Sequence, residues 1–321
     1  MIDLETLFEK HNLDRERFDW ATHHLNELNA ICEDYEGFRE KLHPLASYLA
    51  DVLRQGGDKV HSIRFRLKDP EHLIVKIIRK EDRVPIDRSN YRVRIKDLIG
   101  LRALHLFKED WVYIDEYIRA KWRLAENPTA SVRKGDREEL IEDFKKAGCK
   151  IREHKAGYRS VHYLIRTQLD KETQVAEIQV RTIFEEGWSE IDHLIRYPDN
   201  LTTERNEGLL GILNKHAGSA DDLGSFIRDI QEEYLGDRQV PRSGRATQML
   251  AKQRNERVDR MNIEKKEKSY IKQGLEDLDK SAREESLPKE SAGKFSQANP
   301  PSRHSQMIKE VFFGRVDDSK D

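Results

Sequence analysis

The apolar positions of this chain change their period several times, and each change marks an element. Phe18, Ala21, Leu25 and Leu28 recur at helical spacing, and FREKLHPLASYLADVLRQ continues it after an expected break near Glu36-Gly37. Gly56-Gly57 closes this helical region. The period then drops to two. In HSIRFRLKD, Ile63, Phe65 and Leu67 alternate with Arg64, Arg66 and Lys68, which predicts a half-buried strand. Asp69-Pro70 opens a helix over EHLIVKIIRK, with Pro70 at or near its first position. YRVRIKDLIGLRALHLF leads into a nearly continuous apolar run, the pattern of a central strand covered on both faces. Helical, charged sequence is expected from there to about Gly148. Two alternating segments, SVHYLIRTQL and QVAEIQVRT, joined through Asp170-Lys171-Glu172, predict a β-hairpin. A helix from about Phe184 to Tyr197 should turn Phe184, Trp188, Ile191 and Ile195 inward, and Leu223, Phe226, Ile227, Ile230 and Tyr234 mark a later one.

The hairpin carries the tightest constraint. If Val161, Tyr163 and Ile165 pack with Ala176, Ile178 and Val180, then Ser160, His162 and Arg166 must share the other face with Glu177, Gln179 and Arg181. A solvated face with cross-strand ion pairs would account for one such strand. Other polar groups keep it company. Arg64, Arg66 and Lys68 line one strand face, and Lys76 and Lys80 lie one helical turn apart on the next element. Such a cluster suits a polyphosphate, although a surface basic stripe has the same appearance. Asp97 stands at the mouth of an apolar strand, with Arg102 farther along it. Acids in that place are commonly turn residues. Paired with Glu177 on a neighbouring strand, Asp97 could instead hold Mg²⁺, which takes one or two carboxylates together with waters and phosphates. In GYRSVHY, Tyr158 stands at a strand entrance, either stacking on a nucleobase or filling the core.

Composition narrows the picture. Of 321 residues, 37% are charged and 36% hydrophobic, with a mean hydropathy of -0.85, so part of the chain is expected outside any packed core. The charged QRNERVDRMNIEKKEKSYIKQ and the linker-like LPKESAGKFSQANPPSRHSQ, both beyond Gly236, fit that description, and a short apolar MIKEVFFGRV follows them. The 58 Lys and Arg nearly balance the 60 Asp and Glu, which excludes a chain-wide basic footprint for nucleic acid. Cys32 and Cys149 have neither zinc-site nor redox-pair spacing, so a reduced, cytoplasmic compartment is expected. MIDLETLFEK is not a secretory signal, and no apolar run approaches the ~20 residues that span a bilayer. Neither G-x-x-x-x-G-K-S/T nor G-x-G-x-x-G after a strand occurs. A nucleotide would have to be gripped by side chains and sheet.

Taken in order, several motifs resemble the synthetase domain of the RelA/SpoT family, over roughly residues 45–200. They are R-x-K with a downstream lysine (Arg66, Lys68, Lys76), D-x-I-G-x-R (Asp97 to Arg102), G-Y-R-S-x-H (Gly157 to His162), E-I-Q-V-R-T (Glu177 to Thr182) and W-x-x-I-D-H with a later tyrosine (Trp188, Asp192, His193, Tyr197). The resemblance implies an α/β (α+β) fold: a nucleotidyltransferase-like mixed β-sheet flanked by helices, with helical extensions at both ends. The expected division is a helical region over 1–57, a synthetase core over 58–200, helices on or near it over 201–235, and a charged tail over 236–321. The implied reaction moves the β,γ-pyrophosphate of ATP to the ribose 3′-hydroxyl of GDP or GTP, making (p)ppGpp with Mg²⁺ as cofactor. By resemblance, Asp97 and Glu177 are the catalytic, metal-binding pair, Glu177 also helping to deprotonate the hydroxyl. Arg66 and Arg102 would contact adenine, and Lys68 and Lys76 the ATP phosphates. Tyr158 would stack on guanine, with Lys155, Arg159, His162, Gln179, Arg181 and His193 completing the acceptor site.

Two departures stand out. No His-Asp dipeptide occurs, so the hydrolase domain of long family members is not expected, and Lys155 in KAGY sits one residue closer to its glycine than in many small synthetases. Two alternatives remain. One is a toxin-type relative that pyrophosphorylates the tRNA 3′ end or makes adenosine alarmones. The other is a binding module without catalysis, against which Asp97 and Glu177 argue. A homo-oligomer is possible, and no membrane partner is expected.

Overall fold

In the computed structural model the described residues are 1–80, 85–136, 138–196, 203–237 and 244–286. The predicted alternation over 62–67 builds one edge of a seven-stranded mixed sheet, and that over 160–182 builds its centre. Its strands are β1 (Ser62–Leu67), β2 (Ile99–His105), β3 (Arg123–Leu124), β4 (Thr129–Val132), β5 (Lys150–Glu153), β6 (Ser160–Leu169) and β7 (Glu172–Thr182). The order is β1-β2-β7-β6-β4-β5, with β3 on β6. The β2–β7 and β4–β5 pairs are parallel and the others antiparallel. The helices are α1 (Leu4–Lys10), α2 (Phe18–His23), α3 (Leu25–Arg54), α4 (Pro70–Lys80), α5 (Tyr91–Arg94), α6 (Trp111–Lys121), α7 (Glu138–Lys146), α8 (Ile183–Arg196), α9 (Glu204–Asp237), α10 (Gly244–Arg260) and α11 (Lys265–Ser286). Met1–Lys268 forms one compact unit, and the described residues from Ser269 on belong to a second. The fold class is the expected one, α+β with a mixed sheet flanked by helices. No helix among the described residues is long and apolar enough to cross a membrane.

Hairpin register follows the hydrophobic pattern. Tyr163 pairs with Ile178, Ile165 with Ala176, and Val161 with Val180, so the apolar side chains fall on one face. Leu169 pairs with Glu172, which shortens the turn to Asp170-Lys171. Asp170, at φ 53°, adopts the left-handed conformation such a two-residue turn needs at its first central position. The apolar face joins α3, α4 and α6 in one core through residues such as Leu49, Leu73, Leu101, Ile118, Ile178 and Tyr163.

Four expectations are corrected. The break near Glu36-Gly37 is absent: α3 runs unbroken because Tyr35, Phe38, Leu42 and Leu49 continue one buried stripe, which outweighs the ~1 kcal/mol penalty of a helical glycine. Residues 122–153 hold β3, β4 and β5 as well as helix, strands too short to show a period. The second strand is fully covered on one face and only partly on the other. Ile99, Leu101 and Ala103 are buried on the first; on the second Leu104 is buried, whereas Gly100 and Arg102 are half-buried. In α8, Trp188 is buried with Glu186, but Phe184, Ile191 and Ile195 are exposed, because part of what lies beneath the helix is charged. Tyr197 and MIKEVFFGRV lie outside the described residues.

Candidate active site

The face opposite the core is read off the strand register. One row across β1, β2, β7 and β6 is Arg66, Gly100, Glu177 and Leu164; the next is Arg64, Arg102, Gln179 and His162. Cross-strand partners point to the same side of a sheet. Strand pairing therefore collects two arginines from β1, one from β2, an acid and an amide from β7 and an imidazole from β6. The glycine between Arg66 and Glu177 leaves open floor.

Asp97 lies two residues before β2, and Lys68 follows β1 directly. The Nζ of Lys68 donates to Asp97 Oδ2 at 2.9 Å, and Lys76, reaching in from α4, brings its Nζ to 2.8 Å from the same oxygen. Burial pushes the Asp97 carboxyl up, but the two ammonium groups outweigh it and hold the carboxyl below its usual range. The Lys68 amine is shifted down by burial, against the pull of Asp97. Asp97 Oδ1 is buried with no hydrogen-bond partner, a group that ordinarily finds one.

Glu177 anchors the other corner. Its Oε1 accepts from His162 Nδ1 at 2.9 Å and its Oε2 from Gln179 Nε2 at 2.9 Å. A carboxylate only accepts, so His162 carries a hydrogen on Nδ1, and its Nε2 is hydrogen-bonded to the Tyr158 hydroxyl at 3.0 Å. Burial raises the Glu177 carboxyl, the His162 and Gln179 bonds lower it further, and the Asp97 charge reaches far enough to push it up; the net shift is downward. Arg181 is buried and donates through Nη2 to Gln179 Oε1 at 3.3 Å. Its guanidinium carbon lies 5.4 Å from the centre of the Tyr158 ring, within cation–π range.

Helix α8 starts directly after β7 with a capping box: Glu185 N donates to Thr182 Oγ1 at 3.1 Å, and Thr182 N donates to Glu185 Oε2 at 3.1 Å. That fixed start brings Glu186 and Glu190 over the polar face. Glu186 Oε1 accepts from Arg102 Nη1 at 2.8 Å, and Glu190 Oε1 binds the same nitrogen. From α9, Asn214 Nδ2 donates to Gly157 O at 3.0 Å. Gly157 has φ 78°, and a Cβ there would stand 3.1 Å from Asn214 Oδ1, so the loop before Tyr158 is held in a shape suited to glycine.

The structure thus brings Arg66, Lys68, Lys76, Asp97, Arg102, Tyr158, His162, Glu177, Gln179 and Arg181 to one region of one sheet face. Three expected site residues stand differently. Arg159 is buried and ion-paired to Asp136, Nε donating to Oδ2 at 3.0 Å, so it makes its bonds away from the polar rows. Lys155 is exposed in the β5–β6 loop, and His193 is exposed on α8. Sequence reasoning missed Glu186, Glu190 and Asn214. The T-x-x-E box at Thr182 was a readable sign of where α8 begins; nothing comparable marked Asn214.

Residues 65–202 match the family model described as "Region found in RelA / SpoT proteins". Over that segment the chain is similar to RelA/SpoT proteins. GTP pyrophosphokinase YwaC of Bacillus subtilis (strain 168) is 23% identical over 209 residues, 59% of this chain and 90% of that protein. Among solved structures, small alarmone synthetase 1 of Bacillus subtilis is 19% identical with a TM-score of 0.45, covering 67% of this chain and 98% of its own. A GTP pyrophosphokinase family protein of Streptococcus pneumoniae is 19% identical with a TM-score of 0.43, covering 69% and 97%. All the residues of the polar rows, with Glu186 and Glu190, fall inside the matched segment or, for Arg64, one residue before it, whereas Asn214 lies beyond it.

Proposed function

We propose that the matched segment of this chain is an ATP:GDP/GTP 3′-pyrophosphotransferase, making (p)ppGpp. The observation that carries the reading is the strand register, which sets Arg66 and Glu177 on either side of Gly100, with Asp97 and its two lysines at the strand mouth.

Phosphoryl-type transfer asks a protein mainly for in-line positioning and charge stabilisation. Lys68 and Lys76 now lie on a carboxylate, and a triphosphate arriving beside Asp97 offers them oxygens of the same kind. Arg66 and Arg102 extend the cationic side and present planar guanidiniums to an adenine face. On the other side, Tyr158 supplies an aromatic platform for guanine, steadied by Arg181 and by its bond to His162. A carboxylate held below its usual range is a weak base, so Glu177 acts first as a fixed negative charge and accepts the 3′-hydroxyl proton only as transfer develops.

Asp97 and Glu177 fit Mg²⁺. Asp97 Oδ1 is a buried carboxylate oxygen without a partner, and a pair of carboxylates completed by phosphates and waters is the donor set this ion prefers. Bound there, Mg²⁺ would neutralise charge on the transferring group.

The test is purified protein given ATP labelled in its terminal phosphates, offered GDP, GTP, ATP and deacylated tRNA in parallel. Label on GDP or GTP, lost in Asp97→Asn and Glu177→Gln, is expected. Label on tRNA or ATP alone would overturn the assignment of the acceptor, and no label on any acceptor would overturn the activity.

A further inference from the structure

The carboxylate of Glu186 does something its neighbours do not. Its side chain is 8% exposed, and each of its oxygens faces a different arginine. Oε1 takes the hydrogen bond from Arg102 Nη1 at 2.8 Å. Oε2 lies 2.7 Å from Arg181 Nε, close as an ion pair though not aligned as a hydrogen bond. A desolvated carboxylate is held in place by such pairing, and each guanidinium is held by it in return. Arg102 stands on the donor side of the polar face. Arg181 stands beneath the acceptor side, carrying Gln179 and the Tyr158 ring above it.

We infer that Glu186 is a positioning residue that ties the two nucleotide subsites together, so that the acceptor platform and the donor arginine are set by one buried carboxylate. The inference rests on the pyrophosphotransferase reading. Glu190 is the built-in contrast: it binds Arg102, and the Arg181 charge acts on it through space without a bond. Two arginines and two glutamates balance in charge before any nucleotide arrives. A ligand that draws Arg102 away leaves Glu186 with Arg181 alone, and coupling of this kind is reciprocal between the two sites.

Calorimetric titration of the full chain with α,β-methylene-ATP in Mg²⁺ and, separately, with GDP tests this, using wild type, Glu186→Gln, Glu186→Asp and Glu190→Gln, each with its thermal midpoint. Glu186→Gln is expected to weaken both nucleotides by about tenfold or more, the size of one charged hydrogen bond. Glu186→Asp, which keeps the charge on a shorter stem, should recover part of both affinities. Glu190→Gln should move only the ATP analogue. In transfer assays both KM values should rise by more than kcat falls, which a general loss of folded protein would not produce.

Wild type that binds both nucleotides while a folded Glu186→Gln changes one or neither overturns the inference alone, as does Glu190→Gln moving both equally. Tighter ATP-analogue binding in Glu186→Gln also overturns it, because the carboxylate would then be competing for Arg102. If Glu186→Gln does not fold, Glu186→Asp with wild-type affinity for both nucleotides overturns it. Wild type that binds neither nucleotide overturns the pyrophosphotransferase reading, and this inference falls with it.

Discussion

Strands β6 and β7 bury polar groups on both of their faces, and the two sets are finished differently. On the core face, Trp111 Nε1 donates to Tyr163 Oη at 2.9 Å, Tyr163 donates to Asp115 Oδ1 at 2.8 Å, and Arg119 Nε donates to Asp115 Oδ2 at 2.7 Å. Arg119 Nη2 then closes on Ala147 O at 2.8 Å. No buried side-chain polar atom in that chain of bonds lacks a partner among those described. On the opposite face, Asp97 Oδ1 and Arg181 Nη1 are buried without one. Unpaired buried polar atoms lower stability, so the two faces of this one sheet differ: one network is complete, and the other, with Asp97 ahead of β2 and Arg181 on β7, is not. The closed network ties elements together; the open one holds the groups that the proposed nucleotides would complete.

Substitutions should separate the two faces. The largest effect belongs to Glu177→Gln, which should cut pyrophosphate transfer by roughly a hundredfold or more while moving the thermal midpoint little. A matching fall in stability would show that the open network is structural after all. Tyr163→Phe should do the reverse. It strands the Trp111 N–H and an Asp115 oxygen and costs about 1–3 kcal/mol in chemical denaturation, while activity per folded molecule stays unchanged; lost activity at full folding would break the comparison from the other side.

A third effect is pH-dependent. Burial, aided by the neighbouring Glu185, pushes the Asp221 carboxyl up to about 8. Between the ordinary carboxylate range and that value the folded chain holds a proton that the unfolded chain has released, so stability falls as pH rises through the window. Asp221→Asn cannot ionise, and its advantage over wild type should widen from pH 5 to pH 9; a constant difference would contradict this. Asp97 and Glu177, both held low, act in the opposite sense: their contributions fade only as pH drops below the ordinary carboxylate range. The smallest effect is the baseline. Gly37 lies in α3 with nothing within 4 Å of an added Cβ, so Gly37→Ala should stabilise by about 0.4–1 kcal/mol without touching transfer.

What the sequence disclosed follows from where period is enforced. The two faces of the β6–β7 hairpin were legible, because a slip of one position would have put Glu177 or Arg181 into the core, although its turn is one residue shorter than Asp170-Lys171-Glu172. Helix α4 was legible from Asp69-Pro70 and a dense apolar stripe. Strands β3 to β5 were not, since two to four residues cannot display alternation. The inner face of α8 was misread because the amphipathic rule assumes an apolar bed, and here Arg102 and Arg181 favour a buried glutamate over Ile191 and Ile195. Arg159 shares a motif with Tyr158, yet it directly precedes Ser160, so alternation already set its side chain against the face that Ser160 shares with Arg181. Asn214 was invisible: its role depends on α9 returning to the Gly157 loop, a long-range packing fact with no local signal.

One absent side chain shapes what can lie across the sheet. With Gly100 between Arg66 and Glu177, a channel one residue wide separates a guanidinium from an acid two strand spacings away, about 9–10 Å. A methyl group at that spot would meet Arg66 Cγ at 3.7 Å, ordinary contact distance. An alanine there should therefore leave the molecule as stable as before and obstruct only its cargo.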